Sequence, residues 1–206
     1  MNKRMYLLAV VTLCIFFGLR ITYNTPSIIA FDEKMSDLLE GNTFIIFFHY
    51  IGEPIFVVLV GLVLMIWLWV RERNYRGMFF VLLTFGAGNV VNQLLKKWVE
   101  RPRPEMLDQL TSYSFPSGHA MTGMLYLLTI AYLLSEVLTD QKKVLLVWVI
   151  ALVLICLIGL SRIAESRHFA SDVLAGWSIG YTWFAICVFW YERRKRIFHS
   201  VNLQER

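Results

Sequence analysis

The chain has 206 residues, of which 57% are apolar, against roughly 45–50% in a soluble domain; the excess excludes a single soluble globular core. Its net charge of +5 is confined to clusters between long uncharged runs, so orientation in a membrane accounts for it better than a nucleic-acid partner. Cys14, Cys156 and Cys187 fall inside the uncharged runs without C-x-x-C spacing, which supports neither a zinc site nor a disulfide framework.

In chain order, the first apolar run covers residues 5–21 after the opening "MNKR". No small-residue cleavage site follows it, so it reads as a signal anchor retained as the first span. Beyond it, Ile28, Phe31, Met35 and Leu38 recur at helical spacing beside acidic residues. That pattern predicts a helix lying in the interface, either edging a lateral lipid entry or serving as a connector. The second span covers 54–70, or starts near Asn42 with a bend at Gly52-Glu53-Pro54; His49 and Glu53 then read as interfacial anchors. The third covers 77–95. On it Asn89, Gln93 and Lys96 share one face after Gly86-Ala87-Gly88, a pattern of close packing and hydrogen-bond glue. The remaining spans cover 120–138, 144–160 and 173–191. Each run is near the roughly 17–25 residues that cross a hydrocarbon core as a helix.

The expected architecture is an all-α integral membrane protein, one unit over residues 1–206 built as a bundle of six transmembrane helices. Basic clusters at Lys3-Arg4, 71–76, Lys142-Lys143 and 192–196 then share one side. The positive-inside rule makes that side cytoplasmic, with both termini there. His199, in the basic tail, reads as solvated surface.

The other side breaks the bias. Segments 96–119 and 161–172 carry Lys96, Lys97, Arg101, Arg103, Arg162 and Arg167, and two of the four histidines, His119 and His168. Helix parity brings these segments to one membrane surface, which makes a site there the default reading. Lysine and arginine together suit a phosphate. Ser117-Gly118-His119 sits where a helix begins, so free backbone N–H groups and the positive helix end favour the same anion. His168 and Asp172 are spaced i, i+4, and a carboxylate on one ring nitrogen leaves the other free to attack. Neither a carboxylate cluster nor a G-x-x-x-x-G-K loop is present, so the sequence suggests neither a metal-centred nor a nucleotide-driven reaction, and no cofactor.

These residues match a known pattern. Lys96 with Arg103-Pro104 gives K-x6-R-P, Pro116 to His119 gives P-S-G-H, and Ser161-Arg162, His168 and Asp172 give S-R-x5-H-x3-D. In order and at these helix ends, they resemble the three-part signature of the type 2 phosphatidic acid phosphatase superfamily of lipid phosphate phosphatases. Lys97, Arg101 and Arg167 fall outside the pattern and are expected as headgroup contacts. Ser166 and Ala170 stand where a glycine and a proline are common in relatives.

The resemblance implies a metal-independent phosphatase with its active site at the extracytoplasmic face of a bacterial cell membrane. His168 would attack phosphorus, Asp172 would orient it, and His119 would protonate the leaving group. Lys96, Arg103, Ser117, Gly118 and Arg162 would bind the phosphate. The expected partners are a lipid phosphate substrate and membrane lipids, with no obligate protein partner. Phosphatidylglycerol phosphate is the favoured substrate; undecaprenyl diphosphate and phosphatidic acid are the alternatives. A headgroup-binding or transport protein would explain the cations, but not why His168 is paired with Asp172.

Overall fold

The computed structural model describes residues 3–105 and 111–204, with the side chains of Glu72 and of 195–204 excepted. Among the described residues there are six helices long and apolar enough to cross a membrane. The first is α1 (Lys3–Thr22), followed by α2 (Pro26–Leu39) and the single turn α3 (Thr43–Ile46), which continues as a 3-10 turn, Phe47–Gly52. The second span, α4 (Pro54–Glu72), starts with a proline in its first turn, where the missing N–H costs nothing. The third runs through α5 (Tyr75–Val81), a π turn (Leu82–Ala87) and α6 (Gly88–Val99). The last three are α7 (Gly118–Ser135), α8 (Gln141–Ala164) and α9 (Ala170–Gln204).

Burial orders the bundle. Met121, Leu125, Tyr126, Leu128 and Ala131 put α7 at its centre, packed against α8 and α9, with α1 on the outside of α9. The most apolar surfaces of α1, α4 and α8 remain exposed, for example Leu7, Val63 and Leu145, as helices facing hydrocarbon require. At one bundle end Arg76 stacks on Tyr191, whose hydroxyl donates to Glu136, and Tyr132 donates to Glu192. The basic residues of the α1, α5 and α8 N-termini and the α4 C-terminus share that end. The motif segments occupy the other.

Two features of the third span have sequence causes. Thr84 turns its hydroxyl back onto the carbonyls of Phe80 and Val81, which competes with the helical ladder and helps widen it. The freed Leu83 carbonyl accepts from Trp183 Nε1 at 2.9 Å. Past the π turn, a Cβ on Gly88 would lie 2.4 Å from Leu125 Cδ1, so glycine permits the contact with α7. Asn89 and Gln93 do not serve that packing: they are exposed and line a cavity. Asn92, one position away, is the buried amide, 3.4 Å from the Pro116 carbonyl.

The segment expected to be helical after the first span forms α2, but its faces are divided differently from the expected stripe. Phe31 and Leu38 are exposed, Met35 and Leu39 pack inward, and the buried residue is an acid, Asp32. Ser166, in the glycine-favouring position, adopts φ +53, the left-handed region that disfavours side chains by roughly 1–2 kcal/mol. Its hydroxyl donates to Glu40 at 2.8 Å.

Candidate active site

Four helix ends build the site: the last turn of α6, the first of α7, the last of α8 and the first of α9. The entry of α7 is fixed by α9. Ser117 N–H donates to the Asp172 carbonyl at 3.0 Å, and a Cβ on Gly176 would stand 2.7 Å from the Ser117 carbonyl. Glycine there lets the two helices approach closely enough for the bond to form. The Ser117 hydroxyl turns inward as the N-cap of α7, facing Ala120 N at 3.5 Å.

A cavity of ≈ 570 Å³ opens from these ends between α4 and the third span. At its polar end lie Lys96, Arg103, Gly118, His119 and His168; further in, the walls are apolar, with Val57, Leu62, Met65, Leu82 and Phe85. Ser117 and Arg162 lie behind the lining, at 0% and 6% exposure. Of the eight residues expected from the sequence, five therefore line the cavity, and Ser117, Arg162 and Asp172 support it from behind.

His168 is buried, with Nδ1 3.5 Å from Asp172 Oδ2. Its Nε2 is 3.1 Å from Arg103 Nη1. Asp172 Oδ2 also accepts from Phe169 N–H at 3.0 Å, which anchors the carboxylate to the turn that carries the histidine. Burial, then the charges of Lys96, Arg103 and Arg162, holds His168 well below the ordinary imidazole value. The imidazole is therefore neutral at physiological pH, as a nitrogen nucleophile must be. Arg103 is likewise pushed below its ordinary value by burial and then by Arg162, a mark of cations held close together.

The partners of those cations differ in kind. Lys96 donates to the Tyr113 carbonyl, and Arg103 to the carbonyls of Ser112 and Arg167 and the Ser112 hydroxyl. Among the described residues no carboxylate pairs with either, so their charge is available to an anion. Arg162 is instead paired with Glu165 at 2.6 Å.

Three residues play parts that differ from the expected ones. Arg101 is not a headgroup contact: it is 5% exposed and bonded to Asp32, Ser171 and Asp172. Glu53 stands 3.4 Å from His119 Nε2, and His49 2.8 Å from Glu165, the acid that pairs with Arg162, so the first reaches a site residue and the second the partner of one, rather than simply anchoring the interface. The spacing of His49 and Glu53 to either side of the bend at Gly52 was the available signal, since a bend beside the α7 entry aims both toward it. His199 lies outside the described side chains.

The fold and the site thus define a multi-pass helical membrane protein with a histidine–aspartate pair and a cationic pocket at one end of the bundle. The chain belongs to the PAP2 superfamily, whose family profile matches residues 77–196. Phosphatidylglycerophosphatase B of Bacillus subtilis (strain 168) is 39% identical over 134 residues, 58% of this chain and 65% of that protein, just under two thirds of its length. The crystal structure of a transmembrane PAP2-type phosphatidylglycerolphosphate phosphatase from Bacillus subtilis superposes with a TM-score of 0.81. It covers 90% of this chain and 96% of that one at 29% identity.

Proposed function

We propose that the protein, acting as a single unit, hydrolyses the terminal phosphate of a membrane lipid, with phosphatidylglycerol phosphate as the substrate, through a phosphohistidine intermediate. The observation that carries this reading is the union of two environments in one cavity. Uncancelled cations and a paired histidine occupy one end, and an apolar trough between two membrane helices leads away from them. A phosphate on a lipid tail has that same division. The relatives named above act on phosphatidylglycerophosphate by their names, which supports the choice of substrate.

In the proposed reaction His168 Nε2, the nitrogen turned from Asp172, donates its lone pair to phosphorus. The bond to the leaving oxygen breaks, that oxygen keeps the electron pair, and His119 supplies its proton. Lys96 and Arg103 bind the equatorial oxygens, with the Gly118 amide at the α7 N-terminus and the charge of Arg162 behind them. The Ser117 hydroxyl holds the α7 entry that presents this amide. Water, deprotonated by His119, then attacks phosphorus and breaks the P–N bond. Inorganic phosphate and neutral His168 result.

The basic clusters at the opposite bundle end support an orientation with that end and both termini in the cytoplasm of a bacterial inner membrane, and the site on the extracytoplasmic side. The test is phosphate release by purified protein in detergent micelles with a chelator present. Phosphatidylglycerol phosphate, undecaprenyl diphosphate and phosphatidic acid are compared, with His168→Ala alongside. Chelator-resistant turnover, fastest on phosphatidylglycerol phosphate and absent from the variant, is expected. Substantial turnover by His168→Ala would overturn the nucleophile, and a faster rate on undecaprenyl diphosphate would overturn the substrate. No turnover on any of the three would favour headgroup binding or transport.

A further inference from the structure

Arg101 lies two residues before Arg103, yet it points away from the cavity and is absent from its lining. Its guanidinium is a fork between two buried acids: Nη1 donates to Asp172 Oδ1 at 2.7 Å and to Ser171 Oγ at 2.8 Å, and Nη2 to Asp32 Oδ2 at 3.0 Å. Its carbon stands 4.1 Å from the Phe169 ring centre and 4.7 Å from that of Tyr23, so two aromatic rings hold the fork in place. Asp32 in turn accepts from Ser171 N–H and from the Ser171 hydroxyl, both at 2.7 Å. An acid from α2 thus caps the first turn of α9 beside the pair.

Both oxygens of Asp172 are thereby committed. Oδ1 is held by Arg101, and Oδ2 faces the Phe169 amide and His168 Nδ1. The carboxylate is fully buried, and an isolated buried carboxylate takes up a proton rather than stay charged. The other charged groups around the pair are Lys96 and Arg103, with His119, on the cavity side of His168, and Arg162 behind the lining. These serve the incoming phosphate; behind Asp172 stand Arg101 and the Ser114 hydroxyl, and among the described residues Arg101 is the one cation paired with it.

We propose that Arg101 is a positioning residue for the reaction proposed above. Its charge keeps the Asp172 carboxylate ionised and, with Asp32 holding the guanidinium in place, turned to His168 Nδ1, which fixes the imidazole tautomer whose Nε2 attacks. The role rests on the phosphatase reading for its kinetic consequence, but not for its structural one. It also gives α2 a function: the interface helix supplies the acid that completes the support of the catalytic pair.

The test uses the full-length protein in detergent micelles with Arg101→Ala, Arg101→Lys and Asp32→Asn. Asp32 and Arg101 border a separate cavity of ≈ 280 Å³, so a shortened side chain there gains room for water, and thermal unfolding in detergent selects the variants that keep the fold. On phosphatidylglycerol phosphate, Arg101→Ala lowers kcat about 100-fold, as loss of a support behind a histidine does, with KM changed less than about threefold. The acid limb of its rate profile moves to higher pH, so part of the loss returns in alkali; Arg101→Lys recovers part of the rate at neutral pH. Asp32→Asn, which leaves the guanidinium on Asp172, does not move the limb upward. Unchanged kcat, or a loss equal at every pH and dominated by KM, would overturn the proposal. An independent reading comes from ¹⁵N-histidine NMR, with His168 assigned through His168→Gln. The wild type shows a bare Nε2, and Arg101→Ala a mixture of tautomers. An unchanged His168 spectrum in Arg101→Ala overturns the proposal whatever the turnover. An inactive wild type with the expected spectra would instead overturn only the phosphatase reading.

Discussion

The apolar trough makes a quantitative demand on the lipid tail. It follows α4 from Pro54 to Met65, eleven residue steps, or about 17 Å at 1.5 Å each, roughly half of the ~30 Å hydrocarbon core. Gly61 lies about two thirds of the way along. A Cβ there would stand 3.1 Å from Phe85 Cδ2, already tight, so the branched end of Gly61→Leu must enter the trough and close its inner third. A tail then loses contact over about four methylenes at about 0.8 kcal/mol each, or roughly 3 kcal/mol and about two orders of magnitude in kcat/KM. The polar end is untouched. Phosphate release is compared for a long-chain phosphatidylglycerol phosphate and for a short-chain analogue whose tails end before Gly61. The long-chain substrate loses about 100-fold and the short-chain one less than about threefold. Equal losses would refute the trough as the tail site and would place the effect of the substitution on the catalytic end instead.

Two further outcomes are expected. His119→Ala lowers turnover about 1,000-fold on an alkyl phosphate, within the range of general acid catalysis, but far less on an aryl phosphate with a good leaving group; equal losses on both would rule out the acid role. His168, depressed when folded, binds its proton at an ordinary value near 6.5 once unfolded, so between these values the unfolded chain holds more protons. Stability is therefore full above pH 6.5 and falls as pH drops toward the folded value, by up to about 1.4 kcal/mol per pH unit. Thermal unfolding in detergent at pH 7.5 and 5.5 should show a larger acid loss for wild type than for His168→Gln, and an identical loss would count against the buried neutral imidazole.

The spans were legible because each apolar run is as long as a bilayer is thick, and their parity alone brought Lys96, His119, Arg162 and His168 to one end. The π turn was not, because its cause is a threonine hydroxyl choosing a carbonyl and a tryptophan on α9 taking the one set free. Asn89 and Asn92 show the same limit at finer grain. Both fit a polar stripe at helical spacing and both border the cavity, and only the packing of α7 decides that Asn92 is buried against Met121 while Asn89 stays exposed.

Arg101 and Arg103 carry the point furthest. They are chemically identical and two residues apart, and the spacing from Lys96 selects Arg103 for the phosphate. What separates their roles is the chemistry of their partners. Arg103 is bound by carbonyls and a hydroxyl, which leave its charge for an anion. Arg101 is bound by two carboxylates, 69 and 71 residues away in the chain, which consume its charge. A phosphate site needs uncancelled cations, whereas a nucleophilic histidine needs an ionised carboxylate beside it in a closed environment. Both needs are met within one loop only if its two arginines face opposite ways. The loop turns them apart by returning Ser114 to the Arg101 carbonyl at 2.9 Å, a bond between residues that no local pattern links. The motif therefore names the groups that meet the phosphate, while the groups that keep the nucleophile poised are set by the tertiary fold.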